Sequence, residues 1–251
     1  METSTRWPPI LMYHAIRRAP ADPNKICTSP ERFEAHMRYL KRRNLRGVSM
    51  EELHQAMSLG NARGMVGLTF DDAYKDFLYT ALPILERFGF SATVFAVAGR
   101  IGGDSGWKHY YEPQYRMKLL GAEELREVSE RGVEVGAHGM SHVALAGLEA
   151  QSLEEEVKRS HQVLSEVLGE AVEGFCYPYG SLDRAAVEAV RGARRYAYAC
   201  AVHERVERSV YDLPRIPIAE PDHVGRFAAK LTIYSRYRRL KRAFVGAGAA
   251  P

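Results

Sequence analysis

Residues 65–74 read MVGLTFDDAY and place two adjacent carboxylates, Asp71 and Asp72, directly after a short apolar run. Carboxylates repel one another and are costly to bury, yet MVGLTF (65–70) has the composition of an interior strand. Working outward from it, strand-like and helix-like segments alternate along the chain. ILMYH (10–14) precedes as a strand, and SATVFAVAG (91–99) follows as a continuous apolar run, as in a strand covered on both faces. VEVGAH (133–138), GFCYP (174–178), RYAYACAV (195–202) and LPRIPIA (213–219) are the later strands. Ser29 and Pro30 open a helix over 29–44, and a second runs from Ser49 to Gly60. Further helices are expected over 74–89, with Leu78, Leu82 and Leu85 on one face, and over 121–132. Another covers 152–169, with a stripe of Leu153, Val157, Leu164 and Leu168, and a last one 182–192 before a basic helix from Val224.

Such alternation means parallel strands with helical crossovers. About seven strand–helix units in 251 residues suit an α/β fold of the β/α-barrel type better than an open doubly wound sheet. No GxGxxG follows the first strand, so the dinucleotide fingerprint is missing. With no linker-like stretch, residues 1–251 are expected to form a single domain with its core at about 10–240. Segment 99–118 is rich in Gly and aromatics and reads as a long loop, a type associated with function.

The net charge of +4 argues against a nucleic-acid partner. Between Arg226 and Arg242, however, there are seven Lys or Arg and no acid. That stretch is either a solvated helix face or a peripheral contact with an anionic membrane or acidic substrate. Three widely spaced cysteines without CxxC fit a reducing compartment. The start METSTRWPPILMYH lacks a basic, then long apolar pattern, so no signal peptide is expected. The expected location is cytoplasmic, with membrane association through the basic helix as the alternative to a solvated face.

Reactive residues recur at the strand ends, where β/α barrels carry their sites. His14, Asp71 with Asp72, His138 and Tyr179 all end strands, and Arg215 lies within the last one. In HGMSH (138–142) two histidines stand four residues apart. Taken alone, such a pair is more often two unrelated surface histidines, and Asp72 alone could simply cap the next helix. Together, two imidazoles and a carboxylate make a three-donor set for a catalytic divalent cation, with a second carboxylate beside it as general base. In CYPYG (176–180), Pro178 and Gly180 favour a tight turn that can aim a backbone N–H at an oxyanion.

Thr69-Phe70-Asp71-Asp72-Ala73, His138-Gly139-Met140-Ser141-His142 and Cys176-Tyr177-Pro178-Tyr179-Gly180, in this order, resemble the three leading motifs of the polysaccharide deacetylases, the NodB-like carbohydrate esterases. The opening LMYH (11–14) is similar to the start of many members. The resemblance covers roughly residues 10–240 and implies a distorted (β/α)7 barrel of the NodB-homology type. It implies a divalent metal, Zn2+ first and Co2+, Ni2+ or Fe2+ next, held by Asp72, His138 and His142. It assigns Asp71 as catalytic base, the Tyr179 backbone N–H to the oxyanion, and Arg215 to pairing with the base. The chain departs from the family at Ala73 (usually Gly), Gly139 (Ser or Thr) and Cys176 (Arg), and it has no clear late Leu-x-His motif. His223 is the nearest substitute for the missing general acid. His14, Tyr179 and Trp107 are expected to line the substrate pocket, and Trp107, Tyr110 and Tyr111 are either surfaces for a sugar ring or packing residues.

The implied activity is removal of N-acetyl groups from an amino-sugar poly- or oligosaccharide. The alternatives are deacylation of a lipid-linked sugar or another amide, and an inactive carbohydrate-binding member of the family.

Overall fold

The computed structural model describes residues 7–107, 115–202, 206–207 and 209–233. The order is β1 (Ile10–Tyr13), β2 (Ala15–Ile16), β3 (Cys27–Thr28), α1 (Pro30–Arg42), β4 (Arg46–Val48), α2 (Met50–Ser58), β5 (Met65–Phe70), α3 (Leu82–Phe88), β6 (Thr93–Ala96), α4 (Ala122–Glu130), β7 (Glu134–Ala137), α5 (Ala150–Glu154), α6 (Ser160–Leu168), β8 (Gly174–Cys176), α7 (Arg184–Gly192), β9 (Tyr198–Cys200) and β10 (Ile216–Pro217). A last helix covers 224–233.

The main sheet runs β10-β1-β5-β6-β7-β8-β9, and its neighbours pair in parallel. Segment 213–218 closes it: Leu213 and Arg215 donate backbone N–H groups to Ala199 and Val202, while Ile218 donates to Met12 on the far side. The seven expected strands are thus the seven staves of the barrel. The distortion comes from β4, which pairs with residues 65–67 of β5 on the edge that β6 takes at residues 69–70. Neither β4 nor the small β2–β3 pair was expected, because two or three residues carry no readable period.

Strand alternation sorts the side chains into two layers. Leu11, Tyr13, Val66, Leu68, Phe70, Val94, Ala96, Val135, Ala137, Phe175, Ala199 and Ile216 face the helices in one large core. The intervening Ile10, Phe95, Cys176, Tyr198 and Cys200 form a second cluster with Met50 and Leu53 of α2. Asp71, His138, Cys176 and Arg215 are in phase with this inner set, so the pleat itself aims them into the barrel.

The helices follow the expected stretches with two local changes. Ser49 caps α2, accepting from Glu52 N at 3.1 Å, but Ser29 does not cap α1; its N–H and hydroxyl both bond to Glu220. Helix 74–89 contains a π segment, Phe77–Ala81, which ends two residues before Pro83. Proline has no N–H to return to the preceding turn, and the widened turn absorbs that loss. Of the seven cations between 226 and 242, Arg226 and Lys230 are described, and both pair with the buried Asp222, at 2.9 and 2.7 Å. The other five lie outside the described residues. Among the described residues, no helix is long and apolar enough to cross a membrane.

Candidate active site

Asp71 is the first residue past β5 and is almost fully buried. Arg215 grips it with two hydrogen bonds, Nη1 to Oδ1 at 2.6 Å and Nη2 to Oδ2 at 2.8 Å. The guanidinium is itself held by the Ala201 carbonyl at 2.9 Å and the Thr69 hydroxyl at 3.0 Å, and it lies over the Phe95 ring. Burial pushes the Asp71 carboxyl up. The Arg215 charge and hydrogen bonds, with smaller help from His138 and His14, outweigh it and hold Asp71 below the usual carboxylate range. Asp71 is therefore an ionised carboxylate at neutral pH. Cys176, at the position of the family's motif arginine, accepts from Arg215 Nη2 at 3.1 Å. Burial keeps that thiol well above its ordinary pKa, so it is protonated.

Asp72 is out of phase with Asp71 along the strand. Left-handed backbone at Asp72 (φ 74°) and Ala73 (φ 54°) turns the chain so that its carboxylate meets His138 and His142. Asp72 Oδ1 lies 3.1 Å from His142 Nε2 and 3.6 Å from His138 Nε2. That oxygen is buried and has no hydrogen-bond partner of good geometry. His138 Nδ1 lies 2.8 Å from the Cys176 carbonyl, so Nδ1 carries the proton and Nε2 presents its lone pair to Asp72. Burial lowers the His138 pKa to about 4, against the raising influence of Asp71, leaving the imidazole neutral. His142 Nδ1 lies 3.1 Å from the Tyr179 hydroxyl. An orphaned carboxylate oxygen facing two imidazole nitrogens, one fixed by a backbone carbonyl behind it, is a donor set that fits a divalent cation such as zinc. The same three residues are the expected ligands.

A cavity of about 310 Å³ opens over both carboxylates, lined by Met12, His14, Asn24, Ile26, Asp71, Asp72, His138, His142, Tyr179, Gly180 and Val202. His14 Nε2 is 3.9 Å from Asp71 Oδ2. Tyr179 sits in a 3-10 turn with φ 59° and is half exposed.

Two expectations need correction. His223 lies outside this lining; it is exposed at the start of the 224–233 helix, where its Nδ1 accepts from Arg226 N. Sequence order alone suggested it. Trp107 is 3% exposed and packs on the His142 ring at 4.3 Å, among Ala15, Cys27, Tyr74 and Met117. So enclosed, the ring backs a histidine, as the packing reading has it, and does not line the cavity. Tyr110 and Tyr111 lie outside the described residues.

Asn24, Ile26 and Glu156 were not singled out from the sequence. The first two sit on a loop held by Asp22, whose carboxylate accepts from Ile26 N and Cys27 N. Glu156 hides in the run Glu154-Glu155-Glu156. Its one readable signal is its place three residues after Leu153, on the buried stripe of its helix.

Residues 60–198 match the family model described as polysaccharide deacetylase. The Bacillus subtilis (strain 168) protein YxkH, named as a candidate polysaccharide deacetylase, is 27% identical over 192 residues, which are 76% of this chain and 62% of that protein. The chain's match therefore spans less than two thirds of that relative. A Staphylococcus aureus (strain MRSA252) poly-beta-1,6-N-acetyl-D-glucosamine N-deacetylase is 21% identical over 235 residues, 84% of this chain and 78% of its own. Among solved structures, the Streptococcus pyogenes deacetylase PplD in complex with acetate superposes with a TM-score of 0.75 at 24% identity, covering 89% of this chain and 97% of that one. IcaB from Ammonifex degensii gives 0.74 at 22%, covering 89% and 96%. At these identities the structural likeness is one of fold.

Proposed function

The chain belongs to the polysaccharide deacetylase family, and from that premise we propose that it is a metal-dependent hydrolase removing N-acetyl groups from an amino-sugar poly- or oligosaccharide. One observation carries the reading: an arginine-paired carboxylate and an Asp-His-His donor set share a single cavity. The named activity of the Staphylococcus aureus relative supports the amino-sugar part.

Asp72, His138 and His142 would hold the cation, which when bound polarises the amide carbonyl and lowers the pKa of water towards about 7. Asp71, kept ionised by Arg215, takes the proton of the attacking water. Arg215 also fixes both Asp71 oxygens, so the base has one orientation. The Tyr179 backbone N–H is assigned to the developing oxyanion. His14, in the cavity beside Asp71, is assigned to protonate the departing amine in place of His223, which is not among the lining residues. Acetate and a free amino sugar are the products.

The test is acetate release by zinc-loaded protein from N-acetylglucosamine oligomers and from a lipid-linked N-acetyl sugar. The lipid-linked substrate is included because of the basic stretch 226–242. Release is expected to vanish with a chelator and to fall about 10²–10⁴-fold in Asp71→Asn, as for loss of a general base. No acetate from any substrate, with zinc tightly bound, would turn the reading towards formylated or other amides, or towards binding without turnover.

A further inference from the structure

Glu156 is buried while Glu154 and Glu155 beside it are exposed. Its Oε2 accepts from Met140 N at 2.7 Å and Ser141 N at 3.1 Å, and its Oε1 accepts from the Ser141 hydroxyl. All three donors belong to the short loop between His138 and His142. From the opposite side, Ala98 N donates to the Gly139 carbonyl at 3.0 Å and Gly99 N to the Met140 carbonyl at 2.8 Å. The loop is thus clamped between the end of β6 and one carboxylate.

Two features show that Glu156 and the loop are built for each other. Gly139 has φ 73°, and a Cβ there would lie 2.8 Å from Glu156 Oε2, so only glycine lets the carboxylate approach. The helix carrying Glu156 widens into a π segment, Glu155–Arg159, between α5 and α6. That turn lets two consecutive residues, Glu156 and Val157, both face inward.

We infer that Glu156 is a positioning residue for the metal. Its carboxylate holds the 139–141 backbone in the shape that brings His138 Nε2 and His142 Nε2 together on Asp72. The inference rests on the metal site of the proposed function. It also explains how the site does without the family's Ser or Thr after the first histidine. Ser141 and Glu156 together tie down the loop from the other end.

The experiment measures zinc affinity of the metal-free full chain by competition with a chromophoric chelator. The absorption spectrum of the Co2+-loaded protein serves as a second readout of ligand geometry. Glu156→Ala is expected to weaken zinc binding about 10–100-fold, the usual cost of losing an outer partner of a metal ligand, and to alter the Co2+ spectrum. Glu156→Gln should restore near wild-type affinity, because its carbonyl oxygen can accept both backbone N–H groups while its amide donates to the Ser141 hydroxyl. If Glu156→Ala does not fold, Glu156→Asp, which withdraws the carboxylate by one methylene, should show the same weakening. Wild-type affinity in Glu156→Ala or Glu156→Asp overturns the inference, as does equal loss in Glu156→Gln. Failure of the wild-type protein to bind zinc would instead overturn the metal reading itself.

Discussion

Asp71 is the residue where two large opposing effects meet. Burial favours its neutral form, and the Arg215 fork favours the anion and wins. Replacing Arg215 with Met removes the lowering influence and leaves the burial, so the Asp71 pKa must rise. Turnover needs ionised Asp71, so the acidic limb of the kcat/KM profile should move to higher pH. Arg215→Lys keeps a charge without the fork and should move it less. The same pair bears on folding. A carboxylate with a lowered native pKa contributes stability above its unfolded pKa and loses it as pH falls through the folded one. Arg215→Met should therefore cost about 3–5 kcal/mol at neutral pH, the usual loss on breaking a buried pair, and less in acid where Asp71 takes up a proton. An unchanged acidic limb would show that Arg215 does not set the ionisation of the base.

At the scale of elements, the barrel's chemistry is concentrated in the turns that leave its strands. Left-handed backbone occurs at Asp72 and Ala73 after β5, at His142 after β7 and at Tyr179 after β8. Three of these four are predicted site residues, so strain and function coincide. Ala73 is instructive because the family usually has Gly there. A non-glycine residue in this conformation costs about 1–2 kcal/mol. Against that, Ala has about 0.4–1 kcal/mol less unfolded entropy to lose than Gly, and a buried methyl gains about 0.8 kcal/mol; Ala73 is 3% exposed in the main core. The terms nearly offset, so Ala73→Gly should shift the denaturant-derived stability by less than about 1 kcal/mol. A larger change in either direction would mean that the turn relaxes or that the methyl packs better than its area implies. This balance explains how the motif tolerates the exchange.

At the scale of the whole molecule, a buried imidazole sits in the seam that docks the last described helix, beside the Asp222 ion pairs and the Phe227 and Leu231 side chains. His36 of α1 stacks on Phe227 at 4.2 Å, its Nε2 lies 2.5 Å from the Asp222 carbonyl, and its Nδ1 lies 3.1 Å from the Tyr13 hydroxyl. Burial lowers its pKa to about 4, partly countered by the Asp222 carbonyl and charge, with Arg32 lowering it further and Glu220 raising it. A buried histidine of this kind is neutral when docked and protonates at about 6.5 when released. Docking should thus weaken as pH falls from about 6.5 to about 4, by up to about 3 kcal/mol. Hydrogen exchange over 224–233 should quicken at pH 5 relative to pH 7 beyond the intrinsic pH effect, and His36→Phe should remove the difference. Equal protection at both pH values in the wild-type chain would sink the idea.

Much of this protein was legible in the linear sequence, for a physical reason. Strands and helices declare themselves through local periods of apolar residues. The pleat then decides that Asp71, His138 and Arg215 face the barrel interior, wherever their neighbours come from. The seven staves and the donor set Asp72, His138 and His142 follow from that logic together with the motif resemblance. What only the tertiary structure decided depends on contacts between distant segments and on backbone angles that composition does not encode. Barrel closure brings Arg215 onto Asp71 across 144 residues of chain and against Cys176. Packing buries Trp107 behind His142 and leaves His223 outside the cavity. A widened helical turn converts one glutamate of three from a solvated charge into the anchor of the histidine loop, because burial is a property of the closed barrel and not of the residue.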